Sequence, residues 1–420
     1  MVNYFTYDYA PPGEEDEHPF AVYADVAQCP WTPKHRLLRV AIKGREIAAE
    51  NRPPSNFVFL LDVSGSMQPA NKLPLLKRAM RMLVQQLGDS DRVAIAVYAG
   101  ASGLVLDSTS CDRKETILAA LDRLDAGGST NGGAGIQLAY AVAAAHFIKD
   151  GVNRVILCTD GDFNVGLTSQ SELVTLIEAQ AKTGVYLSVL GFGMGNYQDS
   201  RLEKLADKGN GNYAYIDTIH EARKVLVEQM TGTLVTIAKD VKIQIEFNPT
   251  QVAGYRLIGY ENRVLAKEDF NDDRKDAGEI GAGHTVTALY ELVPAGGEVP
   301  AAAVDALKYQ TTVQPTPAAA TDELLTLKLR YKRPDEDTST LISRPVRDRE
   351  AAFGAMSADF RFAAAVASFG MILRDSKHKG AFTLDAVVEQ ADSARGDDPH
   401  GYRAEFVKLV QIAGALRGQR

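Results

Sequence analysis

The stretch Asn56-Phe57-Val58-Phe59-Leu60-Leu61-Asp62-Val63-Ser64-Gly65-Ser66-Met67 decides the fold. The unbroken apolar run at 57–61 suits a strand covered on both faces by helices, as in a parallel sheet. It ends abruptly in one carboxylate and two hydroxyls spaced by single residues. A turn through Gly65 follows, and then a helical pattern over 73–87. Asp62, Ser64 and Ser66 therefore fall in the loop at the C-terminal end of a buried strand, where open α/β sheets bind ligands. Three hard oxygen donors on one tight loop suit a small divalent cation.

Working outward, residues 52–236 alternate strand candidates (57–61, 92–98, 154–159, 185–191, 213–216) with helical stretches (72–87, 114–124, 134–149, 171–183, 199–208, 220–236). A further strand at 104–109 follows Tyr98 as in a hairpin. This alternation predicts βαβ units, a doubly wound, mostly parallel sheet and right-handed crossovers. With strand order 3-2-1-4-5-6 the first and fourth strands meet at the switch point. The first ends in Asp62; the fourth, Val155-Ile156-Leu157-Cys158-Thr159, ends in Asp160-Gly161-Asp162. A loop containing Gly127-Gly128-Ser129-Thr130-Asn131-Gly132-Gly133 precedes the helix between the third and fourth strands. Asp62, Ser64, Ser66, Thr130 and Asp160 then converge as oxygen donors from three loops, a set that suits Mg²⁺ with its waters better than a carboxylate-rich Ca²⁺ cage. Asp162 is read as shaping its loop.

Outside that unit the pattern changes to one-residue alternation. Val241, Ile243, Ile245 and Phe247 alternate with polar residues, as do Leu325, Leu327, Leu329 and Tyr331. Such strands, with 255–260 and 285–293, predict an antiparallel β-sandwich. It is short of strands unless 20–24 and 37–43 join it, which makes the α/β unit an insertion. The expected organisation is an acidic, Pro-rich N-terminal arm with two sandwich strands at 1–51, the α/β domain at 52–236, the sandwich at 237–345 and three helices within 346–420. The helix at 220–236 is expected to run almost directly into the strand at 241–247.

The chain has 420 residues and a net charge of −8. No long basic block is present, which argues against nucleic acid as a partner. No apolar run approaches the ~20 residues of a bilayer span. The N-terminus shows neither a basic region nor an apolar core of an export signal. The seven histidines form no H-x-x-x-H or H-E-x-x-H pair, and Cys29, Cys111 and Cys158 form no metal motif. The Gly-rich loop lacks the G-x-x-x-x-G-K-[ST] phosphate pattern. A phosphatase-type aspartyl nucleophile at Asp62 would want a second acid where Ser64 stands, and Ser64 has no G-x-S-x-G elbow.

Asp62-Val63-Ser64-Gly65-Ser66, Thr130 and Thr159-Asp160-Gly161 resemble the three pieces of the metal-ion-dependent adhesion site of von Willebrand factor type A (VWA) domains. Asn3-Tyr4-Phe5, Pro53-Pro54-Ser55-Asn56, the loop around Thr130, Thr159 to Gly166 and Gly259-Tyr260-Glu261-Asn262-Arg263 resemble the bacterial YfbK-like VWA proteins. The resemblance implies a Rossmann-like fold and a Mg²⁺ site, with Mn²⁺ or Ca²⁺ as substitutes. Ser64, Ser66 and Thr130 would contact the ion directly or exchange with water. Asp62 and Asp160 would bind it directly or through water, and the open position would accept an Asp or Glu from a partner protein. It implies a non-enzymatic adhesion or scaffold module, with an accessory subunit of an AAA+ ATPase as the alternative and a metal-dependent hydrolase third. Adhesion-receptor VWA domains move their last helix on metal occupancy, so the sandwich would sense the site. The resemblance favours the cell envelope, where such proteins often carry an upstream export or lipid-attachment segment; the visible N-terminus favours the cytoplasm.

Overall fold

A computed structural model describes the chain except residues 14, 100–101, 128–131, 162–169, 194–198, 230–231, 233–234, 260–266, 274–276, 300–314 and 419–420. The chain opens with two strands, β1 (Phe20–Gln28) and β2 (Arg36–Gly44). It then builds a six-stranded sheet from β3 (Ser55–Asp62), β4 (Arg92–Tyr98), β5 (Ser102–Ser110), β6 (Val152–Thr159), β7 (Val185–Phe192) and β8 (Tyr213–Ile216). The order is β5-β4-β3-β6-β7-β8, with only the β4–β5 hairpin antiparallel. The first and fourth strands of this sheet, β3 and β6, are therefore neighbours, as the alternation of elements predicts.

Successive residues of β3 serve opposite faces, because strand side chains alternate. Phe57, Phe59 and Leu61 pack with α1 (Leu73–Gln86) and α2 (Lys114–Asp122). Val58 and Leu60 pack with α3 (Gly132–Ala145), α4 (Gln170–Lys182) and α5 (Asp199–Lys208). Every residue of β3 is buried, as two helical covers require. Within α1 the buried residues Leu76, Ala79, Met80 and Leu83 keep the 3–4 spacing of one helix face.

The helix expected at 220–236 is different. α6 (Ile219–Arg223) is followed by a π-helical turn, Lys224–Glu228, and β9 (Thr236–Phe247) already begins at Thr236. The strand starts early because Ala238 and Val241 pair with β11 (Gly278–Gly281). The π turn lies where Lys224, itself buried, gives its ammonium to the Tyr4 carbonyl at 2.7 Å.

Two four-stranded antiparallel sheets complete the β structure. One is ordered β1-β2-β12-β10 and the other β11-β9-β13-β14, with β10 (Val252–Ile258), β12 (Thr285–Pro294), β13 (Glu323–Lys332) and β14 (Thr340–Arg347). Leu38, Val40 and Ile42 face the second sheet. Leu37 and Ala41, on the other face of β2, pack with α7 (Ala358–Leu373) and, in the same core, α8 (Leu384–Ser393) and α9 (Tyr402–Gly418). β11 and β14 escape a reading of alternation. The first is four residues with glycine at each end, and the second contains Pro345, which a sheet tolerates at an edge, where both strands lie. The N-terminal arm is more than a solvated tail: Phe5, Tyr7 and Tyr9 are buried against the C-terminal helices. Asn3 exchanges two hydrogen bonds with the Thr287 backbone, at 3.1 and 2.6 Å.

Candidate metal-binding edge

Three chain segments meet where β3 and β6 end, and backbone bonds stitch them together. Val63 N donates to Tyr98 O at 3.1 Å, tying the loop after β3 to the end of β4. Gly127 N donates to Val63 O at 2.7 Å, tying it to the approach to α3. Gly135 lets α3 come close: a Cβ there would lie 2.9 Å from Tyr98 Cβ and 3.3 Å from Leu60 Cδ1. A groove lined by Gln68, Leu73, Lys77, Arg78, Asp122 and Leu124 runs beside these loops.

Asp62 is the last residue of β3 and is fully buried. Its Oδ1 accepts Ser64 N at 2.9 Å, and Ser64 Oγ lies 2.9 Å from Ser66 Oγ. Asp62 Oδ2 is buried without a hydrogen-bond partner among the described residues. Asp160, at the end of β6, is also buried; its Oδ2 accepts Lys72 Nζ at 2.8 Å. Gly161, left-handed at φ +103°, donates its N–H back to Thr159 Oγ1 at 3.2 Å. So four of the five expected donors, Asp62, Ser64, Ser66 and Asp160, lie on the adjoining loops of one strand edge. Thr130 and Asp162 lie outside the described residues.

The electrostatics are unusual for a stable loop. Burial pushes the Asp62 carboxyl above its ordinary value; bonds from the Ser64 hydroxyl and backbone and from the Tyr98 hydroxyl oppose this, while the charge of Asp160 adds to it. The Tyr98 phenol beside it is pushed up too, by burial and then by the Asp62 charge. A buried carboxylate with one empty oxygen and a second carboxylate close enough to repel it is a place that gains from a cation. Among the described residues no group of three or more His, Cys, Asp or Glu side chains is placed to hold a metal. The oxygen donors present, two carboxylates and two hydroxyls, are of the type that a hard, partly hydrated divalent ion would accept.

Comparison with known proteins agrees with this architecture. The von Willebrand factor type A domain model matches residues 56–229, and the model described as "Uncharacterized protein YfbK, C-terminal" matches residues 232–416. The chain is 44% identical over 421 residues to the protein YfbK of Escherichia coli (strain K12), covering 99% of this chain and 72% of that protein. The chain belongs to the YfbK family of VWA proteins. A more distant relative, protein sll0103 of Synechocystis, is 28% identical over 187 residues, 44% of this chain and 43% of that one. Among solved structures, a von Willebrand factor type A protein from Catenulispora acidiphila covers 96% of this chain and 92% of its own, at 16% identity and TM-score 0.47. VWA domains commonly mediate protein–protein interaction, typically carry a divalent metal and are generally not enzymes. Among the described residues of this family member, no helix is long and apolar enough to cross a membrane.

A reading of the motif passes over three residues at this edge. Tyr98 ends β4 and is legible only once the strand register is known. Lys72 lies between the motif and the first helix, where a lone cation gives no signal of the carboxylate it meets. Gly193 follows β7 and is one glycine among 35.

Proposed function

We propose that this protein is a non-enzymatic, Mg²⁺-dependent protein-binding module. In this reading Asp62, Ser64, Ser66, Thr130 and Asp160 hold the ion, with Mn²⁺ or Ca²⁺ as substitutes, and an Asp or Glu side chain of a partner protein completes its coordination. The observation that carries the reading is the empty, buried Oδ2 of Asp62 beside the charge of Asp160. The Ser64–Ser66 hydroxyl pair supports it, since it adds neutral oxygen donors on the same loop. Carboxylates from two neighbouring strand ends leave the solvent side of such an ion to water or to an incoming carboxylate. The same reading assigns the module to the cell envelope, on family resemblance.

Calorimetric titration of chelator-stripped protein with Mg²⁺ tests it, with Asp62→Ala as the control. Saturable binding in the parent that is lost in the variant is the expected result. Equal binding to both proteins, or to neither, would sink the proposed site.

A further inference from the structure

The polar edge carries a cation of its own. Lys72 Nζ donates to Asp160 Oδ2 at 2.8 Å, and the two side chains are only 17% and 2% exposed. The backbone of Lys72 is fixed: its N donates to Pro69 O at 2.9 Å, and its carbonyl accepts Leu76 N at 2.8 Å where α1 begins. Its stem is fixed too. A Cβ on Gly193 would lie 2.6 Å from Lys72 Cε and 2.8 Å from its Cγ, so the methylenes run over bare backbone just past β7. A lysine merely solvated at the rim needs neither that track nor a buried acid at its end.

We propose that Lys72 is a tethered competitor for the divalent ion, its ammonium neutralising Asp160 in the metal-free protein and leaving that oxygen when metal enters. The proposal rests on the metal-binding reading above. Without any cation the edge would hold Asp62 and Asp160 as buried, mutually repelling acids, an arrangement folded proteins avoid. Lysine suits the task because its compact charge meets the carboxylate at a single point, whereas an arginine fork would grip it at two. Binding then becomes an exchange of cations. By linkage, any group that draws Lys72 away raises metal affinity by the same factor by which metal favours that group. A partner carboxylate arriving at the mouth of the site is such a group, so metal and acidic partner bind cooperatively.

The test titrates Mg²⁺ alone into the full chain by calorimetry, comparing the parent with Lys72→Met, Lys72→Gln, Lys72→Arg, Lys77→Met and Asp62→Ala, and melts each in chelator and in Mg²⁺. Lys77 is the control for charge at a distance, its ammonium being held by the Asp122 and Leu124 carbonyls. Lys72→Met and Lys72→Gln are expected to bind Mg²⁺ about tenfold more tightly, within the range of coupled equilibria, with Lys72→Arg near or below the parent. Both neutral variants should melt lower than the parent in chelator yet gain more from Mg²⁺, a crossing that a purely structural lysine would not produce. Unchanged or weaker binding in the neutral variants overturns the proposal. So does equal tightening by Lys77→Met, or failure of both neutral variants to fold even in saturating Mg²⁺. If Asp62→Ala binds as the parent does, the metal site itself is wrong, a failure distinct from that of the competitor.

Discussion

Two carboxylates buried in this molecule are treated in opposite ways. Glu291, on β12, accepts Trp31 Nε1 at 3.0 Å, His35 Nδ1 at 2.6 Å and Arg256 at 2.5 Å. Burial alone would raise its pKa, but the three donors and the Arg256 charge outweigh it and hold the carboxyl below its ordinary value. Asp62, on β3, is also buried; its Oδ2 meets no hydrogen-bond partner among the described residues, and its carboxyl is pushed upward. Chains rarely leave an acid half-satisfied where a donor could be supplied. The difference separates a carboxylate held by three donors from one that, among the described residues, keeps an oxygen for which the proposed metal is the partner.

Removing each acid should therefore have different consequences. Glu291→Ala leaves the buried Trp31 indole, the Arg256 cation and the His35 ring without their shared partner. It should cost about 3–5 kcal/mol, as the loss of one member of a buried ion pair does. Urea denaturation followed by circular dichroism reads this directly, with no metal present. A cost below about 1 kcal/mol would mean that water replaces the acid, and the contrast with Asp62 would lose one side.

Asp62→Asn is the matching probe on the other side. The Asn side-chain oxygen can still accept Ser64 N, but the charge is gone. Mg²⁺ affinity should fall by at least about 100-fold, beyond the ~10–100-fold usual for losing a supporting contact around a metal. In chelator, however, the variant should be as stable as the parent, or more stable by up to about 1 kcal/mol. Saturating Mg²⁺ at ~100 times Kd should stabilise the parent by about 2.7 kcal/mol and leave Asp62→Asn unmoved. A variant that is destabilised without metal would make Asp62 a structural acid like Glu291.

The contrast also marks what the sequence makes legible. The 57–61 run, the alternation of elements and the ends at Asp62 and Asp160 disclose the doubly wound sheet and the β3–β6 junction, because burial on both faces and the switch-point rule act on local patterns. The Glu291 cluster is invisible at that level: Trp31 and His35 come from the β1–β2 connection, Arg256 from β10 and Glu291 from β12, more than 200 residues away. Lys72 fails to announce itself for a related reason. Its partner lies 88 positions on, and only the adjacency of β3 and β6 brings them together. The strand expected from 241 starts already at Thr236, the last residue of the helix expected at 220–236; this is missed because β11, which pairs with this stretch, is too short and glycine-rich to be read as a strand. Residues 230–231 and 233–234 of that helix lie outside the described residues.

The smallest effect is a matter of sign under acid. The Glu291 pKa is lowered from 4.5 in the folded chain, so its contribution is fully present above 4.5 and disappears as pH falls through the folded value. Asp62 is raised from 3.8, so the metal-free fold is penalised where the carboxyl is ionised; that penalty lifts as pH falls through the raised value. Protonating Asp62 also removes a ligand charge, so Mg²⁺ should dissociate over the same interval. Denaturation in chelator, followed downward from neutral pH, should thus show the stability gap between parent and Asp62→Asn beginning to close before the gap between parent and Glu291→Gln does. That second gap should begin to shrink only below about pH 4.5, the ordinary carboxyl value. If both gaps close together, the two acids share one environment and the empty oxygen of Asp62 has no special meaning. If they close in the expected order, the acid that titrates first is the one that awaits a cation.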